Sequence, residues 1–406
     1  MTIFEKYQDD LKAGEKIVLG LQHTFTMFGA TVLVPILTGL DISVALFMAG
    51  ICTLFFHLIT TGRIPVFLGS SFAFISPIIA VATVHGLPYA QGGIVIAGLV
   101  YLIMALLIGT FGPDRVISFF PPIVTGPIIM IIGLTLAPVA IGGASENWLL
   151  AFVSVIIVIV VSVFTKGFLK MLPVLFGLFG GYLVAIIMGK VDFQPVMDAK
   201  WIGIPSFTIA KFNWDSVLII APVAIVTVIE HIGDVMALRA TCEKDFIKSP
   251  GLHRTLIGDG LATCLSAFFG GPANTTYSEN TGVLALTRVY NPVVMRIAAC
   301  FAILLSIVPK FSAIISTIPG SIIGGISIVL FGMIAAVGMR TLVENGVDFK
   351  KSRNLLIAAV IIVLGLGGTQ IPINISSFSL NFSSIAIAAI VGIILNKVLP
   401  DKNEGY

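Results

Sequence analysis

The sequence predicts an all-α polytopic membrane protein: fourteen transmembrane segments in two inverted repeats of seven, with short extended strands breaking the third and tenth segments. Three observations predict it. The composition is strongly apolar, span-length apolar runs follow one another along the chain, and polar motifs recur in the same order in both halves. Of 406 residues, 57% are apolar and only 11% charged, against roughly 25% charged in a soluble domain. The mean hydropathy is +1.08.

The spanning element is helical. Runs such as VSVIIVIVVSVF at 153–164 lack the two-residue alternation of a lipid-facing barrel strand. A span needs about 20 mostly apolar residues. Cutting the chain at Gly, Pro and charge clusters centres the first seven segments near residues 27, 50, 75, 100, 130, 155 and 180. The second seven centre near 226, 262, 282, 303, 328, 360 and 388. Segments three and ten read FLGSSFAFISP and NTTYSENTGV, with Gly, Ser, Thr, Asn or Pro where a continuous span is apolar, so both are expected to be broken.

Residues 1–16 are charged and polar without a signal-peptide apolar region, which makes the first apolar segment the expected insertion signal. With both termini placed in the cytoplasm, nineteen of the 23 Lys and Arg residues fall inside, and only Lys190, Lys200, Lys211 and Lys310 fall outside. That asymmetry follows the positive-inside rule for a protein of the cytoplasmic membrane. The net charge of +3 is small and dispersed, which argues against nucleic acid as a partner. Cys52, Cys242, Cys264 and Cys300 have no paired spacing, and no metal or cofactor is expected.

The halves echo each other. Gln22-His23 answers Glu230-His231, Ser70-Ser71-Phe72 answers Thr275-Thr276-Tyr277, and PPIVTGPIIMII at 121–132 answers PGSIIGGISIVL at 319–330. The offsets are 208, 205 and 198. An odd number of segments per unit makes the second copy insert with the opposite orientation, as in many secondary transporters.

Four acidic residues lie in otherwise apolar segments: Glu230, Asp234, Asp259 and Glu279. A carboxylate at bilayer depth costs at least about 2.5 kcal/mol. Glu230 and Asp234 are one helical turn apart on one face, and out of water it is cheaper to protonate one of them than to keep both ionised. Proton carriage is therefore one reading of Glu230, Asp234 and Glu279, with His23 and His231 as relay candidates. A hydrogen-bonded packing network is the other, weighted most toward Asp259. At the broken segments, half-helix N-termini and free backbone N–H groups can face a ligand. Non-helical backbone at that depth is tolerated only when it lines a cavity or is buried in protein. Strand-favouring Phe72, Thr275, Thr276 and Tyr277 suggest that two extended pieces pair there and bring Phe72 and Tyr277 to one pocket.

An intramembrane aspartyl protease would need Gly-x-Gly-Asp and Tyr-Asp motifs, and the Gly233-Asp234 and Gly258-Asp259 pairs supply neither. An open channel would repeat polar rings along its pore, whereas these polar residues gather at two segments. A carrier rather than an enzyme or a channel is expected.

Residues 279–288, Glu-Asn-Thr-Gly-Val-Leu-Ala-Leu-Thr-Arg, resemble the signature of the nucleobase/ascorbate transporter family: an acid or amide, Asn-x-Gly, four residues, then Thr-Arg. LQHTFTMFGATVLVP (21–35), LGSSFAFISP (68–77), IEHIGD (229–234) and PGLHR (250–254) resemble the family's bacterial uracil-transporting members. The resemblance covers essentially the whole chain.

It implies a core domain from residues 1–112 and 213–316, a gate domain from 113–212 and 317–406, and a substrate between them. The implied activity is import of uracil with a proton by alternating access, with a purine such as xanthine or urate as the alternative substrate. Carried onto this chain, Glu230 and Glu279 match the family's substrate-binding carboxylates, and Phe72 and Ser278 match positions whose backbone N–H groups face the base. Ser71 and Tyr277 lie beside them. Uracil's imide edge presents acceptor, donor, acceptor, which a carboxylate between two N–H donors complements. Phe72 and Tyr277 would offer the flat base an apolar surface. Two positions depart from the uracil-transporting pattern: Asp234 stands where His is expected and resembles the purine transporters, and Phe331, a gate candidate, stands where Tyr is expected. The resemblance also allows a homodimer through the gate domains.

Overall fold

A computed structural model describes residues 11–368, 372–375, 378–381 and 384–400. The expectations for the two chain ends fall on residues 1–10 and 401–406, outside the described residues.

The first half runs through α1 (Ala13–Thr38), α2 (Ile42–Ile59), β1 (Leu68–Ser70), α3 (Ile75–His85), α4 (Leu87–Phe111), α5 (Pro113–Ile117), α6 (Pro122–Thr135), α7 (Ala137–Ser145), α8 (Trp148–Phe164), α9 (Pro173–Ile187) and α10 (Gln194–Asp198). The second half runs through α11 (Trp214–Ile220), α12 (Val223–Cys242), α13 (Leu252–Phe268), β2 (Asn274–Thr276), α14 (Ser278–Thr287), α15 (Pro292–Ser306), α16 (Pro309–Ser316), α17 (Gly320–Glu344), α18 (Ser352–Leu366), β3 (Pro372–Ile375), β4 (Phe378–Asn381) and α19 (Ser384–Val398). β3 and β4 form an antiparallel pair of their own.

Helix starts are written locally. Asp41, Asn147, Asn213 and Asn291 accept first-turn N–H groups of Val44, Leu150, Ser216 and Val293 at 2.9, 3.3, 2.9 and 2.9 Å, satisfying donors that a helix leaves unpaired. Gly39, at φ +79°, ends α1 by donating to the Pro35 carbonyl.

Among the described residues, six helical stretches are long and apolar enough to cross a bilayer: Ala13–Thr38, Ile42–Ile59, Leu87–Phe111, Pro122–Ser145, Trp214–Cys242 and Gly320–Glu344. α15 and α16, bent by 81°, make a seventh when taken as one span. The other apolar helices are shorter, including α8, α9, α18 and α19. The chain is a mostly helical, multi-pass membrane protein.

Packing falls into two groups. α13 lies along α4 and α2, and α15 lies along α1 and α2. Separately, α17 packs on α6, α7 and α8, with α9 against α8 and α18 against α19. Small residues permit the close approach. A Cβ on Gly260 would sit 2.6 Å from Tyr101 Cβ, and one on Gly325 would sit 2.5 Å from the Ala151 carbonyl oxygen. α12 touches both groups, meeting α4, α14 and β2 on one side and α6 and α19 on the other.

Candidate functional site

β1 and β2 meet in the middle of the first group. They pair antiparallel, with Leu68 opposite Thr276, Gly69 opposite Thr275 and Ser70 opposite Asn274. Ser71 N donates to the Ala273 carbonyl at 2.9 Å and Tyr277 N to the Phe67 carbonyl at 3.1 Å, which extends the ladder by one bond at each end. A three-residue 3-10 turn, Phe72–Phe74, then leads into α3, and Tyr277 leads directly into α14.

Two threonines hold the outer edges of the strands. Thr53 Oγ1 on α2 accepts from Leu68 N at 2.9 Å and lies 3.3 Å from the Leu68 carbonyl, to which it donates. Thr263 Oγ1 on α13 does the same for Asn274, at 3.2 and 3.3 Å. The two are 210 positions apart, close to the repeat offsets of the sequence motifs. One hydroxyl thus satisfies both backbone groups of the first strand residue, which a buried strand edge requires.

Both strands are buried, and exposure begins where they end. Ser70, Ser71, Asn274, Thr275 and Thr276 are all under 5% exposed, whereas Ser278 and Glu279 are exposed and Phe72, Glu230 and Asp234 are half-buried. Glu279 occupies the first turn of α14, where the helix dipole favours negative charge. Glu230, Asp234 and Glu279 lie within electrostatic reach of one another.

Asp234 is engaged at both oxygens. Thr276 Oγ1 donates to Oδ2 at 2.5 Å and Ser278 Oγ donates to Oδ1 at 2.6 Å. It therefore ties α12 to the junction of β2 and α14. His23 on α1 is buried, with Nδ1 accepting from Asn280 Nδ2 at 3.1 Å. It reaches the residue after Glu279.

Tyr277 lies inside the strand pair. It is 5% exposed, its ring lies against Gly69 where a side chain would collide, and its hydroxyl donates to the Ser70 carbonyl at 3.2 Å. It is a brace inside the strand pair. Phe72 instead keeps an open side, and its ring stands edge-on to that of Phe331 on α17 at 6.4 Å. Ser71 is 1% exposed, and its hydroxyl has no hydrogen-bond partner.

Behind α12 lies a second polar cluster. His231 Nδ1 is 2.9 Å from Asp259 Oδ2 and Nε2 is 2.9 Å from Thr255 Oγ1, with both His231 and Asp259 fully buried. Gly258 leaves room for the Phe56 ring and Gly260 for the Cβ of Tyr101, one before and one after Asp259. Sequence reasoning weighed Asp259 toward packing without finding this partner, and it missed Thr53 and Thr263. A hydroxyl residue sought at the repeat offset would have found those two.

Residues 14–374 match the permease family. A uracil permease of Bacillus caldolyticus is 46% identical, over 98% of this chain and 95% of the relative. A uracil permease of Escherichia coli K12 is 40% identical, over 95% and 91%. Among solved structures, the transmembrane domain of the cyanobacterial bicarbonate transporter BicA superposes with a TM-score of 0.62 at 16% identity, covering 94% of this chain and 96% of that one. Murine Solute Carrier 26 family member A9, an anion transporter, gives 0.68 at 11%, covering 97% and 70%. These two share the fold. The relatives are permeases and not enzymes, and the chain belongs with them to the permease family.

Proposed function

We propose that this chain imports uracil with a proton across the cytoplasmic membrane by alternating access. The observation that carries the reading is the grouping of Glu230, Asp234 and Glu279, none of them buried, beside the strand pair of a strongly apolar protein. The names of the relatives, uracil permeases at 40% and 46% identity, support the choice of base.

In this reading fourteen spans form two inverted repeats, with both termini cytoplasmic. The core domain comprises 1–112 and 213–316 and the gate domain 113–212 and 317–406. The two packing groups of helices support that division. Glu279 accepts the imide N–H between the backbone N–H groups of Phe72 and Ser278, and Glu230 accepts the remaining ring N–H. Phe72 covers one face of the base and Phe331 closes from the gate. Ser71 and Tyr277 shape the strand pair beneath, and His23 holds Asn280 behind Glu279.

Protonation of Glu230 or Glu279 neutralises charge that would resist passage through a low-dielectric path. Asp234 is the weaker candidate, since both its oxygens are already engaged by the hydroxyls of Thr276 and Ser278. The same engagement fixes the direction in which the Asp234 carboxylate points, toward the start of α14.

Uptake of labelled uracil into inside-negative, outside-acid proteoliposomes tests the reading. Uptake should saturate, fall with excess unlabelled uracil more than with xanthine, and collapse with an uncoupler. Full-rate accumulation in uncoupled vesicles would sink proton symport.

A further inference from the structure

Gly233 lies inside α12 between Glu230 and Asp234, and it is exposed. Glycine is less favourable than alanine in a helix interior, so its presence asks for a cause. In neighbouring α13 the cause is contact. A Cβ on Gly258 would come 2.7 Å from the Phe56 ring, and one on Gly260 would come 2.6 Å from Tyr101 Cβ. At Gly233 a Cβ would meet nothing within 4 Å, and the residue is absent from the positive-φ glycines. Neither packing nor backbone conformation calls for glycine there. The space itself is what the residue provides.

That space adjoins the carboxylates. At 3.6 residues per turn, Gly233 falls about 60° to one side of Glu230 and Asp234 about 40° to the other. The Asp234 side is turned to α14, as its bond to Ser278 requires, and the Gly233 side is turned away from it. Earlier on the same strip, Val226 and Ile229 are buried at 1% and 8% exposure, and α12 packs on α6 and α19. The strip therefore passes from buried residues to an exposed one beside Glu230.

We propose that Gly233 sets the size of the base the pocket admits. Resting on the uracil reading above, a pyrimidine held through its imide edge by Glu279 and through its other ring N–H by Glu230 has one edge without hydrogen-bonding atoms, C5–C6. That edge lies over Gly233, and the absent Cβ leaves room for a substituent on it.

The test is Gly233→Ala, a change that favours the helix and so keeps the fold. Dissociation constants for uracil and 5-bromouracil are measured by calorimetry on the purified full-length protein. The wild type should bind both. Gly233→Ala should hold uracil within about threefold and weaken 5-bromouracil by about tenfold or more, the scale at which one extra group in a filled pocket discriminates. An unchanged ratio of the two constants overturns the proposal, and so does equal loss of both ligands. A wild type that binds uracil but refuses 5-bromouracil also overturns it. A wild type that binds neither base removes the uracil reading itself.

Discussion

Asp234 Oδ1 accepts a hydrogen bond from Ser278 Oγ at 2.6 Å, and through it α12 grips the start of α14. Thr276 Oγ1 holds the other oxygen. Asparagine in place of Asp234 offers one acceptor oxygen for two hydroxyls, so one donor loses its partner. Hydrogen bonds to a charged acceptor contribute about 1.5–3 kcal/mol. Asp234→Asn should therefore weaken uracil binding by roughly tenfold or more by letting α14 shift, and Ser278→Ala should do so less. Because both act through one contact, the double variant should cost less than the two single effects combined. Calorimetric titration of the four proteins checks this, and strict additivity would show that the contact plays no part.

Glu230 and Glu279 carry the hydrogen-bond reading of the base. Glutamine keeps their size but removes the charge and presents an amide N–H, which can oppose a ring N–H donor. Glu230→Gln and Glu279→Gln should each lower uracil affinity by at least about 100-fold, the scale of a charged partner lost in a desolvated site. If either carboxylate is the group that takes the proton, its glutamine variant retains whatever exchange of internal for external uracil survives while losing accumulation driven by a proton gradient. Counterflow and net uptake measured side by side separate the two roles.

Two stretches stand out in the sequence because composition there contradicts the membrane. FLGSSFAFISP and NTTYSENTGV place hydroxyls, amides and glycine where neighbouring segments carry only apolar residues. β1 and β2 lie within these two stretches and α14 starts in the second. Glu279 stands out in the sequence for the same reason. Partners across the fold do not. The sequence gives no hint that the Tyr277 ring will be taken up by the space over Gly69, or that Asp234 will meet hydroxyls more than 40 residues away. Such contacts depend on how α12 lies on β2, which periodicity does not encode.

His231 and Asp259 form a pair with no access to water. Removing one partner of a buried hydrogen-bonded pair strands the other, at about 1–3 kcal/mol or more. Asp259→Ala should lower the thermal midpoint of the purified protein sharply, and His231→Ala should do the same. The double variant should be less destabilised than the summed singles, since it strands neither group. A double variant as unstable as that sum would show that the two side chains act independently.

Thr53 and Thr263 each serve one strand with a single hydroxyl, so the two halves make matched predictions. Valine has nearly the shape of threonine, and Thr53→Val leaves the Leu68 N–H and carbonyl short of that partner in a buried setting. Thr263→Val does the same to Asn274. A buried backbone group left unsatisfied costs about 1–3 kcal/mol, so each variant should melt several degrees lower. The strand pair also positions Phe72 on one side and Ser278 on the other, so loosening either edge should weaken uracil binding. Thr38→Val is the control. That hydroxyl donates to the Val34 carbonyl within α1, and its loss strands no N–H group. Uracil affinity and melting temperature should both fall for Thr53→Val and Thr263→Val while Thr38→Val stays near the wild type. Equal behaviour of all three would mean that the strand edges draw no support from these hydroxyls.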